Sequence, residues 1–552
     1  MFDATDAFYQ LKLATVVVLL LLFYGGTFAM SMSIRQKKEN VDGYMNASGA
    51  VGFGISAASM TATWIWAASF YAAATSGFKY GLSGPIHYGL WGALMILFIY
   101  PFGLRFRELA PDAHTLAEIM HARHGRSSQM ILASSNVVGS IISLMVNFTA
   151  AGTLIDILSP LTFFHGVIIA GVGVLSYTLW SGFRASVLTD FAQLVAMMAA
   201  AALIIPLVFF KAGGPELFDT SMGHLTAEQS SFYSKTAILE QGAPFFVAVL
   251  AYAIGNQTIA QRLFAVREDL IKPTFLTATV AYGATVVGLG VLGTLALMVG
   301  LEPVDGDLNN IIPQMASNYL PPVLVGVFFI MVIGSLSSTA DSDLAALSSI
   351  VMTDFYGKGV AKGEANPKTM MLIGRITMVV ATALGVAFAS LQLNILDALI
   401  FVGALWGAIV FPVIASVYWG RITNKAFTIS VVVAVAMFTI ARFELVPLDG
   451  ATATMFEVLA TIGAGVVLGL MSFGFLGRNV GLGVGAVVII GLMPFTIGFL
   501  RDYETLLSSL TAYSVSAILC VGISLLSKED FDLSLIAERV VAFSDSKPEK
   551  KS

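Results

Sequence analysis

Gly334-Ser-Leu-Ser-Ser-Thr-Ala-Asp-Ser-Asp-Leu-Ala-Ala-Leu-Ser-Ser349 crowds hydroxyls and two carboxylates into the later part of an apolar run long enough to cross a bilayer. On a helix, Ser335, Ser338 or Thr339, and Ser342 recur at i, i+3 or i+4, and i+7, so they share one stripe, with Asp341 on its flank. Hard monovalent cations take oxygen ligands. A hydroxyl stripe beside a carboxylate supplies them in dry surroundings, and unwound carbonyls of a facing helix complete the shell. Ser and Thr also pack membrane helices closely and bond back to their own carbonyls. That accounts for the hydroxyls but not for Asp341 and Asp343, two residues apart.

The rest of the chain agrees with a membrane reading. Of its 552 residues, 57% are hydrophobic and 11% charged, against about 25% charged in an average soluble domain. Apolar runs of roughly 20 residues recur from end to end. About fifteen helices are expected, starting near residues 11, 51, 84, 128, 162, 185, 241, 273, 313, 369, 396, 426, 452, 480 and 506. The first is read as a retained span rather than a signal peptide, because Asp3 and Asp6 precede it where a signal peptide carries basic residues. Cys520 is the single cysteine, which excludes an intrachain disulfide and a thiolate metal cluster. A net charge of −5 argues against a nucleic-acid partner.

With the N-terminus outside, Lys12, Lys79, Lys211, Lys235, Arg442 and Arg501 fall on outer ends, and the other 23 of the 29 basic residues fall on cytoplasmic segments. These include Arg35 to Lys38, Arg105 to Arg126, Arg262 to Lys272, Lys358 to Arg375 and Lys547 to Lys551. The positive-inside rule therefore places this multi-pass chain in the cell membrane with its C-terminus cytoplasmic. Two groups of five spans have opposite orientations, as inverted repeats do. The expected organisation is an extra helix and linker (1–45), a first five-helix repeat (46–212), an extracellular loop (213–240) and a second repeat (241–420). Extra C-terminal spans (421–527) and a solvated cytoplasmic tail (528–552) follow.

Two further stretches carry polar groups into spans. In Ser181-Gly-Phe-Arg-Ala-Ser-Val-Leu-Thr-Asp190-Phe-Ala-Gln193, the carboxylate of Asp190 sits nearly two turns inside a helix. It is either an interfacial group paired with a neighbour or part of an ion path. The span from Gly52 holds Gly54, Ser56, Ser59, Thr61, Thr63 and Ser69 beside Trp64 and Trp66. It is either interrupted at mid-membrane or a buried helix lined with small residues.

These motifs resemble the sodium:solute symporter family over residues 45 to 420. Ala62-Thr-Trp64-Ile65-Trp-Ala-Ala-Ser-Phe resembles its first core helix and the Ser181 to Gln193 stretch its fifth. Tyr252-Ala-Ile-Gly-Asn256-Gln257 with Gln261-Arg262 resembles the sixth, and Ser338-Thr339 through Asp354-Phe-Tyr356 the eighth. Trp64-Ile-Trp66-Ala-Ala, Tyr80-Gly-Leu-Ser-Gly-Pro85 and Ala110-Pro-Asp-Ala-His114-Thr115 are most similar to the urea active transporter branch. The resemblance implies an all-α polytopic protein with a LeuT-type core of two inverted five-helix repeats and extra helices at both ends. It also implies a sodium site formed by the carbonyls of Ala62, Ile65 and Ser335 and the hydroxyls of Ser338 and Thr339, with Asp190 close by. Tyr252 falls where some members have an aromatic inner gate.

One position departs from the family pattern. Asp341, followed by Ser342, stands where some relatives that bind a second sodium have a hydroxyl. Asp190 and Asp341 would then share a site, and like charges at short range bind a cation or share a proton. The expected solute cavity lies near Trp64, Trp66, Tyr88, Trp91, Tyr252, Asn256 and Trp406, without Lys or Arg. Such a lining suits a compact neutral solute such as urea, carried with sodium and requiring no other cofactor; some of these aromatics also fit ordinary helix packing or an interfacial belt. The competing readings are a passive urea channel, a sensor, and a membrane enzyme. The last rests on His121 and His124, which lack a third metal ligand in the sequence around them.

Overall fold

A computed structural model describes residues 9–34, 40–47, 51–222, 225–361 and 365–540. The acidic start around Asp3 and Asp6, the basic Arg35 to Lys38 stretch and the Lys547 to Lys551 cluster lie outside the described residues. In hydrocarbon every backbone N–H and C=O has to be satisfied within the protein, and the chain meets this demand with helices. The first is α1 (Leu13–Ile34), followed by the short α2 (Val41–Asn46), which Asn40 caps through its side chain.

The next span is broken. α3 (Phe53–Trp64) stops at Ile65, with φ −82° and ψ 60°, and α4 (Ala67–Tyr80) starts after an extended Trp66. α5 (Gly84–Leu109), the shorter α6 (Leu116–His124) and α7 (Arg126–Leu158) follow. The 50-residue α8 (Phe163–Ala212) would be about 75 Å long if straight, more than twice the hydrocarbon thickness. It divides at Gly182, whose φ of 53° and ψ of −136° are not helical, into spans Phe163–Trp180 and Gly182–Ala212.

The short α9 (Glu216–Ser221) and α10 (Lys235–Ala237) lead into a second broken span. α11 (Ala243–Gly255) ends at an extended Asn256, and α12 (Gln257–Ala265) continues from it. The Asn256 side chain accepts from the Thr258 N–H at 2.9 Å, the ordinary work of an N-cap. Gly255 is needed beside it, because a Cβ there would come within 2.3 Å of the Trp406 ring. Then come α13 (Ile271–Met298), the short α14 (Ile311–Tyr319), α15 (Pro322–Ile350), α16 (Pro367–Ala389) and α17 (Ile395–Tyr418). The span expected from residue 313 begins later, since Pro321 and Pro322 separate α14 from α15.

α18 (Asn424–Arg442), α19 (Gly450–Leu476), α20 (Arg478–Thr496) and α21 (Glu504–Leu526) complete the bundle. Among the described residues fourteen helices are long and apolar enough to cross a bilayer, and the α3/α4 pair, whose halves are each too short to qualify, makes a fifteenth. One span precedes the core, four follow it, and each group of five between them opens with a broken helix. This is the LeuT-type architecture. The start of α3 and the end of α12 are stitched together: the Val51 N–H donates to the Ala265 carbonyl at 3.0 Å, and the Arg267 N–H to the Val51 carbonyl at 3.3 Å.

The tail is not wholly solvated, contrary to the expectation for 528–552. The Phe531 N–H donates to the Gly420 carbonyl at 3.0 Å, and its ring lies between the guanidinium groups of Arg123 and Arg539, at 4.4 and 5.0 Å. α22 (Leu535–Arg539) then buries Ile536.

Gly182 has a double constraint, a positive φ and a backbone approach: an added Cβ would sit 2.7 Å from the Tyr44 carbonyl oxygen. Gly182→Ala is expected to destabilise the fold by about 1–3 kcal/mol. Thermal unfolding of the purified protein, followed by size-exclusion of heated samples, measures this; an unchanged midpoint would show that α2 and the kink can relax.

Candidate ion and solute site

The break between α3 and α4 frees carbonyls, and the hydroxyl stripe of α15 meets them. Ser335 donates to the Ile65 carbonyl, and Thr339 to the Thr63 carbonyl at 2.9 Å. Ser69 donates to the Trp64 carbonyl at 3.0 Å. Ala62, Ile65, Ser335, Ser338 and Thr339 are all buried. The residues that the resemblance nominates for sodium thus lie on the two elements that face each other at the break. Their donor set is all oxygen, as a hard monovalent cation requires.

Beneath them is a charged cluster that no water reaches. Asp190 is fully buried. Ser338 donates to its Oδ1; Ser59, at 2.5 Å, and the Arg262 Nη2, at 2.9 Å, donate to its Oδ2. Arg262 also donates from Nε to the Ser59 hydroxyl at 3.0 Å and from Nη2 to the Ser342 hydroxyl at 2.7 Å. Ser342 lies 3.2 Å from the Thr63 hydroxyl and 3.0 Å from that of Ser186. Asp341 accepts from the Tyr177 hydroxyl at 2.7 Å and, more weakly, from Ser342 at 3.3 Å. Asp190, Asp341 and Ser342 therefore do come together, with a guanidinium between them.

Arg262 is the residue that sequence reasoning misplaced. Counted with the basic cytoplasmic connection, it is 4% exposed and paired with Asp190. The signal for it was its position on α12, where Arg262 and Gln261 sit beyond a break that turns them inward. With Asp190, Asp341 and Arg262 ionised, the cluster carries one excess negative charge, which one monovalent cation or one proton cancels.

On the other side of the break is an aromatic cluster. Trp64 and Tyr252 meet edge to face at 6.5 Å, and Tyr252 and Trp406 at 5.3 Å. Ser69 lies 3.4 Å from the Tyr282 hydroxyl and next to Tyr88. The indole N–H of Trp64 is buried without an acceptor. Tyr282, on α13, was not foreseen, since it sits in an otherwise ordinary apolar span, and Ser69 was noted only among the polar residues of the broken span.

Three nominated cavity residues have other work. Asn256 caps α12. Trp66 sits at the break itself, where its carbonyl accepts from the Ser69 N–H at 2.8 Å. Trp91 donates to His87 at 3.3 Å and packs edge to face on Phe246 at 5.0 Å, between α5 and α11.

The Ala110 to Thr115 motif belongs to a separate network on the side opposite α9. His114 is bonded to Asp42 at 2.8 Å and faces Glu118 at 3.3 Å, and Lys358 reaches Glu118 at 3.3 Å. Thr115 and Gln129 both donate to Asp354 at 2.8 Å, and Gln257 donates to the His114 carbonyl at 2.8 Å. His124 is bonded to Ser416 at 2.7 Å, and burial, helped by the charge of Arg123, pushes it down to about 3. No metal-binding group of three His, Cys, Asp or Glu occurs among the described residues.

Two discontinuous helices whose breaks meet an oxygen-rich, charge-bearing cluster define a secondary carrier of the inverted-repeat kind. The model of the Sodium:solute symporter family matches residues 44–433. The chain belongs to that family. Curated relatives include a probable urea active transporter of Schizosaccharomyces pombe, 23% identical over 465 residues, which cover 78% of this chain and 69% of that one. The sodium/pantothenate symporter of Escherichia coli is 24% identical over 446 residues, covering 78% of this chain and 90% of that one. Among solved structures, a Na+-coupled sialic acid symporter in a substrate-bound outward-open state superposes with a TM-score of 0.67 at 16% identity, over 86% of this chain and 98% of that one. The relatives are transporters rather than enzymes, and sodium is the coupling ion that the family name supplies.

Burial alone would push His114 down, but its bonds to Asp42 and Glu118 outweigh this and raise it from 6.5 to about 9. A raised pKa stabilises the fold fully below the unfolded value, and that contribution is lost as pH rises through the folded one. Thermal stability is therefore expected to fall between pH 6.5 and about 9, by up to about 3 kcal/mol. His114→Gln should flatten that slope; an equal slope in the variant would assign it to another group.

Proposed function

We propose that the protein is a sodium-coupled symporter that imports a small neutral polar solute, urea by preference, by alternating access across the cell membrane. The observation that carries this reading is the pairing of two unlike side-chain clusters at one helix break. One side offers the carbonyls of Ala62 and Ile65, the Ser335 carbonyl and the hydroxyls of Ser338 and Thr339 to the ion. The other offers Trp64, Ser69, Tyr88, Tyr252 and Tyr282 to the solute.

In that aromatic cluster the polar groups are hydroxyls and one free indole N–H. A neutral carbonyl compound can accept from the indole and exchange hydrogen bonds with Ser69 and the Tyr88 and Tyr282 phenols, while Tyr252, whose hydroxyl donates to the Leu399 carbonyl, offers its ring face; such a solute needs no counter-charge. A carboxylate solute would need a cation, and Arg262 is committed to Asp190 on the other side of the break. The S. pombe relative's name agrees with urea. The Tyr80 to Pro85 and Ala110 to Thr115 motifs lie at a turn and in the His114 network, so they bear on helix packing rather than on solute choice.

Coupling follows from charge. Asp190 is balanced by Arg262, and Asp341 is the carboxylate whose charge an additional cation or a proton completes. Sodium entering at Ser338 and Thr339 draws the two hydroxyls and the freed carbonyls onto itself, tying α15 to the α3/α4 break. Loss of the ion loosens that tie and lets one repeat rock against the other. The N-terminus is outside and the loops around Lys272 are cytoplasmic; Lys272→Cys in a Cys520→Ser background, labelled only after permeabilisation, tests this orientation.

Proteoliposomes loaded for counterflow decide the function. Labelled urea is expected to accumulate with a sodium gradient and to be displaced by unlabelled urea from a panel of small polar solutes. Flux that ignores sodium would replace the symporter with a channel, and failure of urea to compete would move the solute while keeping the carrier. Ser338→Ala with Thr339→Ala is expected to raise the sodium concentration for half-maximal uptake at least tenfold, about 1.4 kcal/mol.

Arg262→Gln leaves Asp190 without its cation, at a cost of about 3–5 kcal/mol. In that variant added sodium should raise the unfolding temperature more than in the wild type, because the ion replaces the missing charge. An equal sodium effect in both proteins would show that the guanidinium and the ion do not share a seat.

A further inference from the structure

Where α5, α17 and α19 end together, the structure leaves an open cleft of about 470 Å³, apart from the ion site and the aromatic cluster. Pro101 and Leu104 of α5, Tyr418 at the end of α17, and Gly474 and Phe475 near the end of α19 line it. Gly474 permits the close approach of α19, since a Cβ there would lie 2.9 Å from the Pro101 ring. Ring contacts hold the two aromatic walls in place: Tyr418 meets Phe473 edge to face at 4.8 Å, and Phe475 meets Phe98 at 5.4 Å.

The cleft also holds one charge of each sign. Arg105 and Glu108 line it and pair at 3.2 Å, with 32% and 56% of their side chains exposed. Arg105 donates from Nη1 to Oε2 of Glu108 and from Nε to the Val417 carbonyl at 3.3 Å, and its guanidinium lies 5.7 Å from the centre of the Tyr418 ring. Among the described residues Nη2 of Arg105 and Oε1 of Glu108 have no partner. An ion pair this exposed contributes little by itself, so each member is available to a ligand. Back along α5, Leu90, Leu94, Phe98, Pro101 and Arg105 stand at i, i+4, i+8, i+11 and i+15, one face of the helix. Each is exposed or half-buried. An apolar strip thus runs from the membrane interior to the charged end of the span.

This combination suits a lipid. The cleft lies at the end of a membrane span, where basic and aromatic side chains meet headgroups. The charges select the headgroup. Arg105 and Glu108 cancel, so the cleft presents a dipole rather than a net charge. A phosphate takes charge-assisted hydrogen bonds from the guanidinium, and a primary ammonium gives them to the carboxylate. An anionic headgroup without an amine would face Glu108 uncompensated, and a quaternary ammonium has no N–H for Glu108 to accept. We propose that the cleft is a binding site for an ethanolamine phospholipid, its phosphate on Arg105, its ammonium on Glu108 and an acyl chain along the strip from Leu90 to Pro101. The site is independent of the solute and of the coupling ion. The orientation of the chain decides only which leaflet supplies the lipid.

Native mass spectrometry of the full chain tests this, in micelles holding equal amounts of phosphatidylethanolamine, phosphatidylglycerol and phosphatidylcholine with the same acyl chains. The wild type is expected to retain phosphatidylethanolamine over either competitor by about fivefold, the size of one interfacial charge contact. Glu108 is exposed and bonded to Arg105 alone, so Glu108→Gln should fold as the wild type does. That variant should lose the preference and favour phosphatidylglycerol, and the difference between the two proteins separates this cleft from lipid held elsewhere. Equal retention of the three lipids by the wild type, a wild-type preference for phosphatidylglycerol, or an unchanged order in Glu108→Gln would each overturn the proposal. Leu104→Trp supplies a second readout by filling the cleft with both charges kept. It should lower the retained phosphatidylethanolamine, and undiminished retention would count equally against the site.

Discussion

A carboxylate that water cannot reach has to find its donors inside the protein, and Asp190 finds them on three other helices. Ser59 comes from the first half of one broken span, Arg262 from the second half of the other, and Ser338 from α15. The charge therefore does the work of a cross-link. The cost of leaving it unpaired in low dielectric holds both broken helices against α8 and α15 at the depth where their backbones are interrupted. The hydroxyl stripe, the freed carbonyls and the aromatic cluster are arranged around that fixed point.

Much of this was legible in the residues. Span count follows from apolar length, and the break in the first core span was foreseeable from the run of Ser, Thr and Gly that ends at Trp64 and Trp66. The hydroxyl stripe of α15 follows from helical periodicity alone. Arg262 was not legible in the same way. A basic residue at the end of an apolar run satisfies the positive-inside rule whether it faces water or a buried acid, and the difference depends on the break at Asn256, a tertiary feature. The capping task of Asn256 was hidden for a related reason. An amide in a membrane span looks like a ligand, but where the helix is interrupted the backbone claims it as a cap.

The aromatic residues show the limit of composition more sharply. Trp64, Tyr88, Tyr252 and Trp406 form one connected group with Tyr282 and Ser69, while Trp91 pairs with His87 and Phe246 on another surface. The difference is one of helix phase and neighbours: Tyr88 and Trp91 are three residues apart on α5, yet they meet different partners. The tail is a similar case, because a polar, charged segment gave no hint that Phe531 would be held between two guanidinium groups.

The two hydrogen bonds of Val51, one to Ala265 and one from Arg267, join the ends of the two interrupted spans on a single short seam. That seam ties the start of α3 to the end of α12 at one point, and rocking of one repeat against the other has to bend or open it. Motion in the core then has fewer independent coordinates than its helices suggest. A force applied at either break, by an ion on one side or a solute on the other, is delivered to the same lever.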